Sequence, residues 1–384
     1  MRFIHLGDLH IGKSLGEYNL IEDQQYILDQ ILELIKDRDI DAALLAGDIY
    51  DRALPSEAAV SLLDYFISRL AENGIETYII SGNHDSEDRL NYGRKLFSSK
   101  GIHIVSRFGG ALEKYELEDE FGKISICLLP FVKASQVRHF YPEEEINSYD
   151  DAVRAVIDHA DIDFDSRNIL IAHQFVTGET DPAIAGSEGG SVQNVGTIEK
   201  ISCESLKAFD YVALGHLHSP QRIGYDNIRY SGSILKYSLS EAGSSKSVPV
   251  ITLKEKGNMD IELVPLRPKR DLRHITGKME QLLASENITD TDDFMYVTLT
   301  NEEIINDAMN IIQQYYPNTV KIDYQNSHTK EIEELGVFEA TENKSFDELI
   351  SDFYKKMYGT DITDEELRIM MEVAREAGVI HEAD

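Results

Sequence analysis

Only two cysteines, Cys127 and Cys203, occur in 384 residues. One pair is not a disulfide framework. Each thiol lies in or beside an apolar run (124–129 and 201–206), so both are expected to be buried and reduced, in a reducing compartment. No apolar run approaches the ~18 residues that a membrane span needs. The opening MRFIHLGDLH lacks the charged start and long apolar stretch of a signal peptide. A cytoplasmic location is therefore expected. Internal repeats and low-complexity tracts are missing too. Positive charge is scarce: 37 Lys and Arg face 69 Asp and Glu, a net charge of −32. Such a chain does not coat polyanions non-specifically. The acid is unevenly spread. Residues 331–384 hold 16 Asp and Glu against 5 Lys and Arg, a net of −11, whereas RPKRDLRH at 267–274 is locally basic.

What is present alternates. Short apolar runs at 3–6, 42–46, 77–81, 124–129, 168–172 and 211–215 read as strands covered on both faces. Amphipathic helices lie between them. One carries Ile27, Ile31, Leu34 and Ile35 on one face; another carries Leu62, Leu63, Phe66, Ile67 and Leu70, with Ser56 as its N-cap. After Pro249 the texture changes. A hairpin is expected around Lys256-Gly257, then helix–strand–helix–strand from Asp271 to Asp323. Beyond a polar linker (331–344), two helices are expected. They open on the capping boxes Ser345/Glu348 and Thr363/Glu366, and the second ends near Gly378. These shifts predict an α/β domain at 1–265, a small α+β domain at 266–330 and a helical tail at 331–384.

Five short motifs each follow a strand: GDLH (7–10), GDIYD (47–51), GNHD (82–85), AHQF (172–175) and GHLH (215–218). In α/β sheets, ligands gather at the carboxyl ends of strands, so residues two hundred positions apart can meet in one crevice. The absence of thiolates disfavours structural zinc and iron–sulfur sites. Imidazole, carboxylate and amide oxygen together suit manganese, iron or catalytic zinc. The motifs offer more ligands than one tetrahedral ion needs, so two ions sharing a carboxylate is the economical reading. Asp51 reads either as a partner of a ligand or as a cap for the next segment. Lys13, Arg89, Lys236 and the run at 267–274 read as surface charges or as contacts to a phosphate backbone.

The series D-x-H, G-D-x-x-D, G-N-H-D, a histidine after a strand and G-H-x-H resembles the calcineurin-like metallophosphoesterase superfamily. Within it, GDLHIGK, AHQFVTG, VGTIE, GHLHSPQRIGYDNIRYSGSILKYSLSEA and VPLRPKRDLRHITG are similar to the SbcD-type nuclease subunits, partners of the SMC-like SbcC ATPase. The match runs over roughly residues 1 to 280, and beyond that it rests on segment order. Leu9 and Ile234 depart from the family, at positions that are not ligands.

The resemblance implies a metallophosphoesterase sandwich with a small α+β capping domain and a C-terminal helical tail. It implies that Asp8, His10 and His218 bind one manganese ion, that Asn83, His173 and His216 bind a second, and that Asp48 bridges them. His84 would act on the phosphate and Asp85 would orient His84. The implied activity is double-strand exonuclease and single-strand or hairpin endonuclease on DNA, in recombination, repair and replication. A homodimer is implied as well, with the tail docking on the ATPase. A phosphomonoesterase or cyclic-nucleotide phosphodiesterase would use the same core, and a non-catalytic scaffold would keep the fold. The long match beyond the ligand motifs argues against the first pair, and the intact ligand set with His84 argues against the second.

Overall fold

The computed structural model describes residues 1–186 and 199–327, and positions 347, 350, 351, 354, 355, 362, 363 and 366–371. By Cα proximity the chain divides into two compact units. The first comprises 1–275, 289–296 and 309–321, the second 276–288, 297–308 and 322–384.

The first unit is a two-sheet sandwich. Its strands are β1 (Arg2–Leu6), β2 (Ala42–Ala46), β3 (Glu76–Ile80), β4 (Ile102–Val105), β5 (Glu113–Asp119), β6 (Gly122–Leu129), β7 (Arg167–His173), β8 (Tyr211–Gly215), β9 (Gln221–Ile223), β10 (Tyr225–Tyr230), β11 (Ser247–Leu253) and β12 (Met259–Pro265). One sheet runs β12-β11-β1-β2-β3-β4, the other β9-β10-β8-β7-β6-β5. Strands β1 to β4 are parallel, as are β6, β7, β8 and β10.

Alternation explains the continuous apolar runs. Ala42, Leu44 and Ala46 face inward with Phe3, Ile169, Ile171, Tyr211 and Ala213 between the sheets. Their neighbours Ala43 and Leu45 face outward, under helices α1 (Ile21–Asp37) and α2 (Glu57–Glu72). On the other sheet, Leu170, Ala172, Val212 and Leu214 pack outward with Val153 and Val156 of α3 (Tyr149–Asp158). Every position of β2, β7 and β8 is therefore buried, although successive side chains point to opposite faces.

Local signals hold where they are visible. Ser56 Oγ accepts from Ala59 N at 3.2 Å and caps α2. β11 and β12 form the expected hairpin, with Gly257 at φ 78°. Both thiols are buried and free. The Thr363/Glu366 box is present, with Thr363 N donating to Glu366 Oε2 at 3.0 Å. Ser345, Glu348, Gly378 and the linker at 331–344 lie outside the described residues.

The segment 271–323 has the expected helix–strand–helix–strand order (Met279–Leu282, Phe294–Leu299, Ala308–Gln313, Thr319–Tyr324), preceded by one unexpected strand. That strand, Leu272–Gly277, joins Phe294–Leu299 and Thr319–Tyr324 in a three-stranded sheet. Its burial alternates, so RHIT showed little apolar content. No helix among the described residues is long and apolar enough to cross a membrane.

Candidate metal centre

The five motifs leave the carboxyl ends of β1, β2, β3, β7 and β8. The loops after β1 and β2 are tied together: Asp8 N donates to Gly47 O (3.1 Å) and His10 N to Asp48 O (2.9 Å). Asp8, His10, Asp48 and His216 all have positive φ, at 52°, 43°, 48° and 104°. Non-glycine residues there cost on the order of 1–3 kcal/mol each, so their surroundings must hold them. Gln24 of α1 does part of this, donating to His10 O at 2.8 Å, and Tyr237 Oη donates to Leu9 O at 2.6 Å. Two motif glycines answer to close approach. A Cβ on Gly82 would overlap the Asp48 carboxylate and backbone. One on Gly215 would overlap Ala46 O.

The motif side chains converge. His10 Nε2 and His218 Nε2 lie 3.0 Å apart. Two imidazole lone pairs that close repel unless a cation or a proton sits between them. His173 Nε2 is 3.1 Å, and His216 Nδ1 3.0 Å, from the same oxygen, Asn83 Oδ1. Asp48 Oδ2 stands between these groups, 3.6 Å from His10 Nε2, 3.5 Å from His173 Nε2 and 4.0 Å from His84 Nε2. Three sets of ligand atoms each lie within 4.8 Å: Asp8/His10/His218, Asp8/Asp48/His173 and His10/Asp48/His84. Asp8 is fixed by His216 N, which donates to both its oxygens (2.9 and 3.1 Å). The floor (Asp8, His10, Asp48, His173, His218) is buried, while Asn83 is exposed and His84 keeps 29% of its side-chain surface. Oxygen and imidazole donors packed this closely, without a thiolate, fit a pair of divalent ions.

The protonation equilibria agree. Burial opposes a charge on His173, but Asp48 and then Asp8 outweigh it and raise its pKa to about 9. Burial likewise opposes charge on His10, which Asp51, Asp48 and Asp8 raise. Burial also penalises the charged form of Asp48, yet His173 foremost, then His10 and His84, hold its carboxyl well below the usual range. His216 is pushed down to about 3 by burial and by repulsion from His173. The cluster without ions stores positive charge as protons, where ions would supply it.

Behind the imidazoles stands a further layer of acceptors. His173 Nδ1–H donates to Ala46 O (2.8 Å), leaving Nε2 as the lone pair facing the site. Asp51 Oδ1 lies 3.6 Å from His10 Nδ1 and 2.7 Å from Lys13 Nζ, so its carboxylate faces His10 and Lys13 and does not cap the next segment. Glu241 Oε1 lies 3.9 Å from His218 Nδ1. Its Oε2 accepts from Lys246 Nζ at 2.6 Å, and Lys246 also donates to His218 O at 2.8 Å. Sequence reading gave no role to Glu241, Lys246, Gln24 or Tyr237: Tyr237 and Glu241 lie in the segment 215–242 but far from its histidines, and Gln24 and Lys246 lie outside every motif. Glu241→Gln removes the charge behind His218 and should weaken manganese binding by about tenfold or more. A calorimetric titration checks this, and an unchanged isotherm would remove Glu241 from the role.

One expectation needs correction. Asp85 does not orient His84. Its carboxylate accepts from the backbone N–H of Ile49 (3.1 Å), Tyr50 (2.9 Å) and Gly82 (2.9 Å), clamping two exit loops together. The His84 ring is held instead by Asp51 O, to which Nδ1–H donates at 2.9 Å, so Nε2 faces the site. The basic run is largely neutralised by acids of the same unit. Arg270 pairs with Asp23, Arg273 with Asp293 (2.8 Å) and Lys269 with Glu22 (3.5 Å). Lys236 is likewise held by Asp271 (2.9 Å) and Lys13 by Asp51, whereas Arg89 is exposed.

Sequence comparisons with known proteins place the chain in a family. The calcineurin-like phosphoesterase family model matches residues 1–220, and the model named type 5 capsule protein repressor C-terminal domain (SbcD_C) matches 268–358. The SbcD subunit of the SbcCD nuclease of Staphylococcus epidermidis is 33% identical over 369 residues, covering 93% of each chain. A crystal structure of a dimetal phosphatase from Danio rerio aligns with a TM-score of 0.37 at 11% identity, covering 69% of this chain and 96% of its own. The chain belongs to the calcineurin-like phosphoesterases, and within them to the SbcD nuclease subunits.

Proposed function

We propose that this chain hydrolyses DNA phosphodiesters at duplex ends and hairpins. In this reading Asp8, His10 and His218 hold one divalent ion, Asn83, His173 and His216 hold a second, and Asp48 serves both. The observation that carries it is the approach of His10 Nε2 and His173 Nε2 to one Asp48 oxygen, at 3.6 and 3.5 Å. Such ions, when bound, supply Lewis acidity towards a phosphoryl group. The chain supplies the rest. Asp48 and Asp8 provide the negative charge that retains cations on a buried floor. His84, at the open rim with Nδ1–H fixed on Asp51 O, presents Nε2 to a phosphate above Asp48, where it can stabilise charge or deliver a proton to the leaving oxygen. Asp85 supports this by holding the loop that bears His84.

Manganese is the ion we propose first. We also propose that 266–330 acts as a capping segment over DNA and that 331–384 docks on an SbcC-type ATPase. A homodimer in the cytoplasm completes the reading. The net charge of −32 does not oppose it, because attraction is confined to the ion pair.

The test is nuclease turnover on a hairpin-ended duplex with manganese, with and without the ATPase, beside a small phosphomonoester. Faster turnover of the monoester would favour the small-substrate alternative. A second check follows from His173. Its pKa of about 9 means the ring carries a proton at pH 7 that must leave before an ion binds. Manganese binding should therefore release protons at pH 7, from His173 and from His10, whose pKa is also raised, and affinity should rise with pH towards about 9. Calorimetry in buffers of different ionisation enthalpy measures this, and no proton release would contradict it.

A further inference from the structure

Asn83 and His216 have a second face to consider. Besides meeting the other ligands, they line a cavity of about 310 Å³. That is the low end of the ~300–1,000 Å³ of small-molecule sites, so it admits a single planar group and not a duplex. Three of its six other lining residues are aromatic. The Phe131 ring lies 24° from the plane of the His216 imidazole with centroids 6.5 Å apart, and Phe175 stands perpendicular to it at 6.2 Å. Tyr149, at the start of α3, adds a third ring.

Two polar features narrow the occupant. Lys133 and Glu199 both line the slot, so their opposite charges give no net attraction for a phosphate. Gln174 lines it as well and is 1% exposed. Its Nε2 donates to Val132 O at 3.1 Å, while its Oε1 accepts no hydrogen bond from any described residue. That oxygen is enclosed, so the reachable apolar wall of the slot is aromatic and suited to a flat group that stacks. Every nucleobase has that form.

We propose that this slot takes the unstacked base of the nucleotide adjoining the phosphate being cut. The base lies among Phe131, Phe175 and Tyr149. This rests on the nuclease reading and deepens it. A base must leave its stack to enter, which costs least at frayed ends, hairpin loops and single strands. The slot therefore supplies a physical reason for cutting ends and hairpins.

The experiment is a protein-by-substrate cycle under single-turnover conditions with manganese. Wild-type protein and Phe131→Ala each cut a hairpin-ended DNA with a normal or an abasic nucleotide next to the scissile bond, tested on either side. Tyr149→Leu provides the second variant should Phe131→Ala melt early. On one side of the bond, removal of the base should slow wild type about ten- to hundredfold, the range one base–aromatic stack sustains. The protein change should slow the normal substrate similarly, and the two losses should not multiply. Equal wild-type rates on normal and abasic DNA would overturn the proposal. So would losses that multiply in full with both variants, because the rings would then act only through the ion site. Methyl p-nitrophenyl phosphate, which has no base, separates the two failures. Hydrolysis of that ester with no cleavage of any DNA would overturn the nuclease reading itself, and this proposal with it.

Discussion

Replacement of His84 by Gln should lower DNA cleavage by about 10²–10⁴-fold while leaving manganese binding unchanged, the range that one positioned acid or base contributes. The asymmetry follows from position. His84 Nδ1–H is held by Asp51 O, and its Nε2 stands 4.0 Å from Asp48 Oδ2, farther than the Nε2 of His10 or His173. It keeps 29% of its surface at the rim, where substrate must approach, whereas the floor imidazoles are buried. Gln can donate hydrogen bonds through its amide NH2 but cannot deliver a proton. Single-turnover cleavage beside a manganese titration checks both halves. Cleavage at the wild-type rate would take His84 out of the mechanism, and a loss of ions would make it a ligand.

Asp48→Asn should do the reverse, removing ions and activity together. The amide oxygen can still accept from His84 N, as Asp48 Oδ1 does at 2.8 Å, so the loop keeps its anchor. The negative oxygen between His10 and His173 is lost. We expect stoichiometry to fall from two ions to one or none, and cleavage to fall by at least about 10³-fold. A spectroscopic signature accompanies this. With Asp48 neutral, burial is less opposed at His173, whose pKa should drop from about 9. Imidazole NMR on the ion-free protein measures it, and an unmoved His173 would mean that Asp48 is not the source of the shift.

The sequence was legible where one physical demand shaped a contiguous stretch. β2, β7 and β8 are covered on both faces, so the demand for apolar side chains fell on every residue and left visible runs. The motif residues were legible because strand ends bring them together and because only a few residue types, carboxylate, imidazole and amide, recur there. β5 was not: EKYELED alternates half-buried with exposed positions and shows no apolar run. Glu241 and Lys246 were hidden for another reason. A carboxylate behind a ligand needs only to reach the ring, so it can come from anywhere in the chain. Asp51 sat within a motif, but its spacing fits a cap and a ligand partner equally; only the 3.6 Å approach to His10 Nδ1 and the Lys13 contact separate the two. The run at 267–274 stayed open between two readings because composition does not reveal pairing. Asp23, with which Arg270 pairs, lies 247 residues earlier in the chain.

The central claim is that His10, His218, His173, His216, Asn83 and Asp8 surround two ion positions joined by Asp48. Anomalous diffraction from crystals grown with manganese tests it most directly. Two peaks ~3.5–4 Å apart, with an Asp48 oxygen between them, are the expected result. A single peak, or two peaks that do not share Asp48, would contradict it.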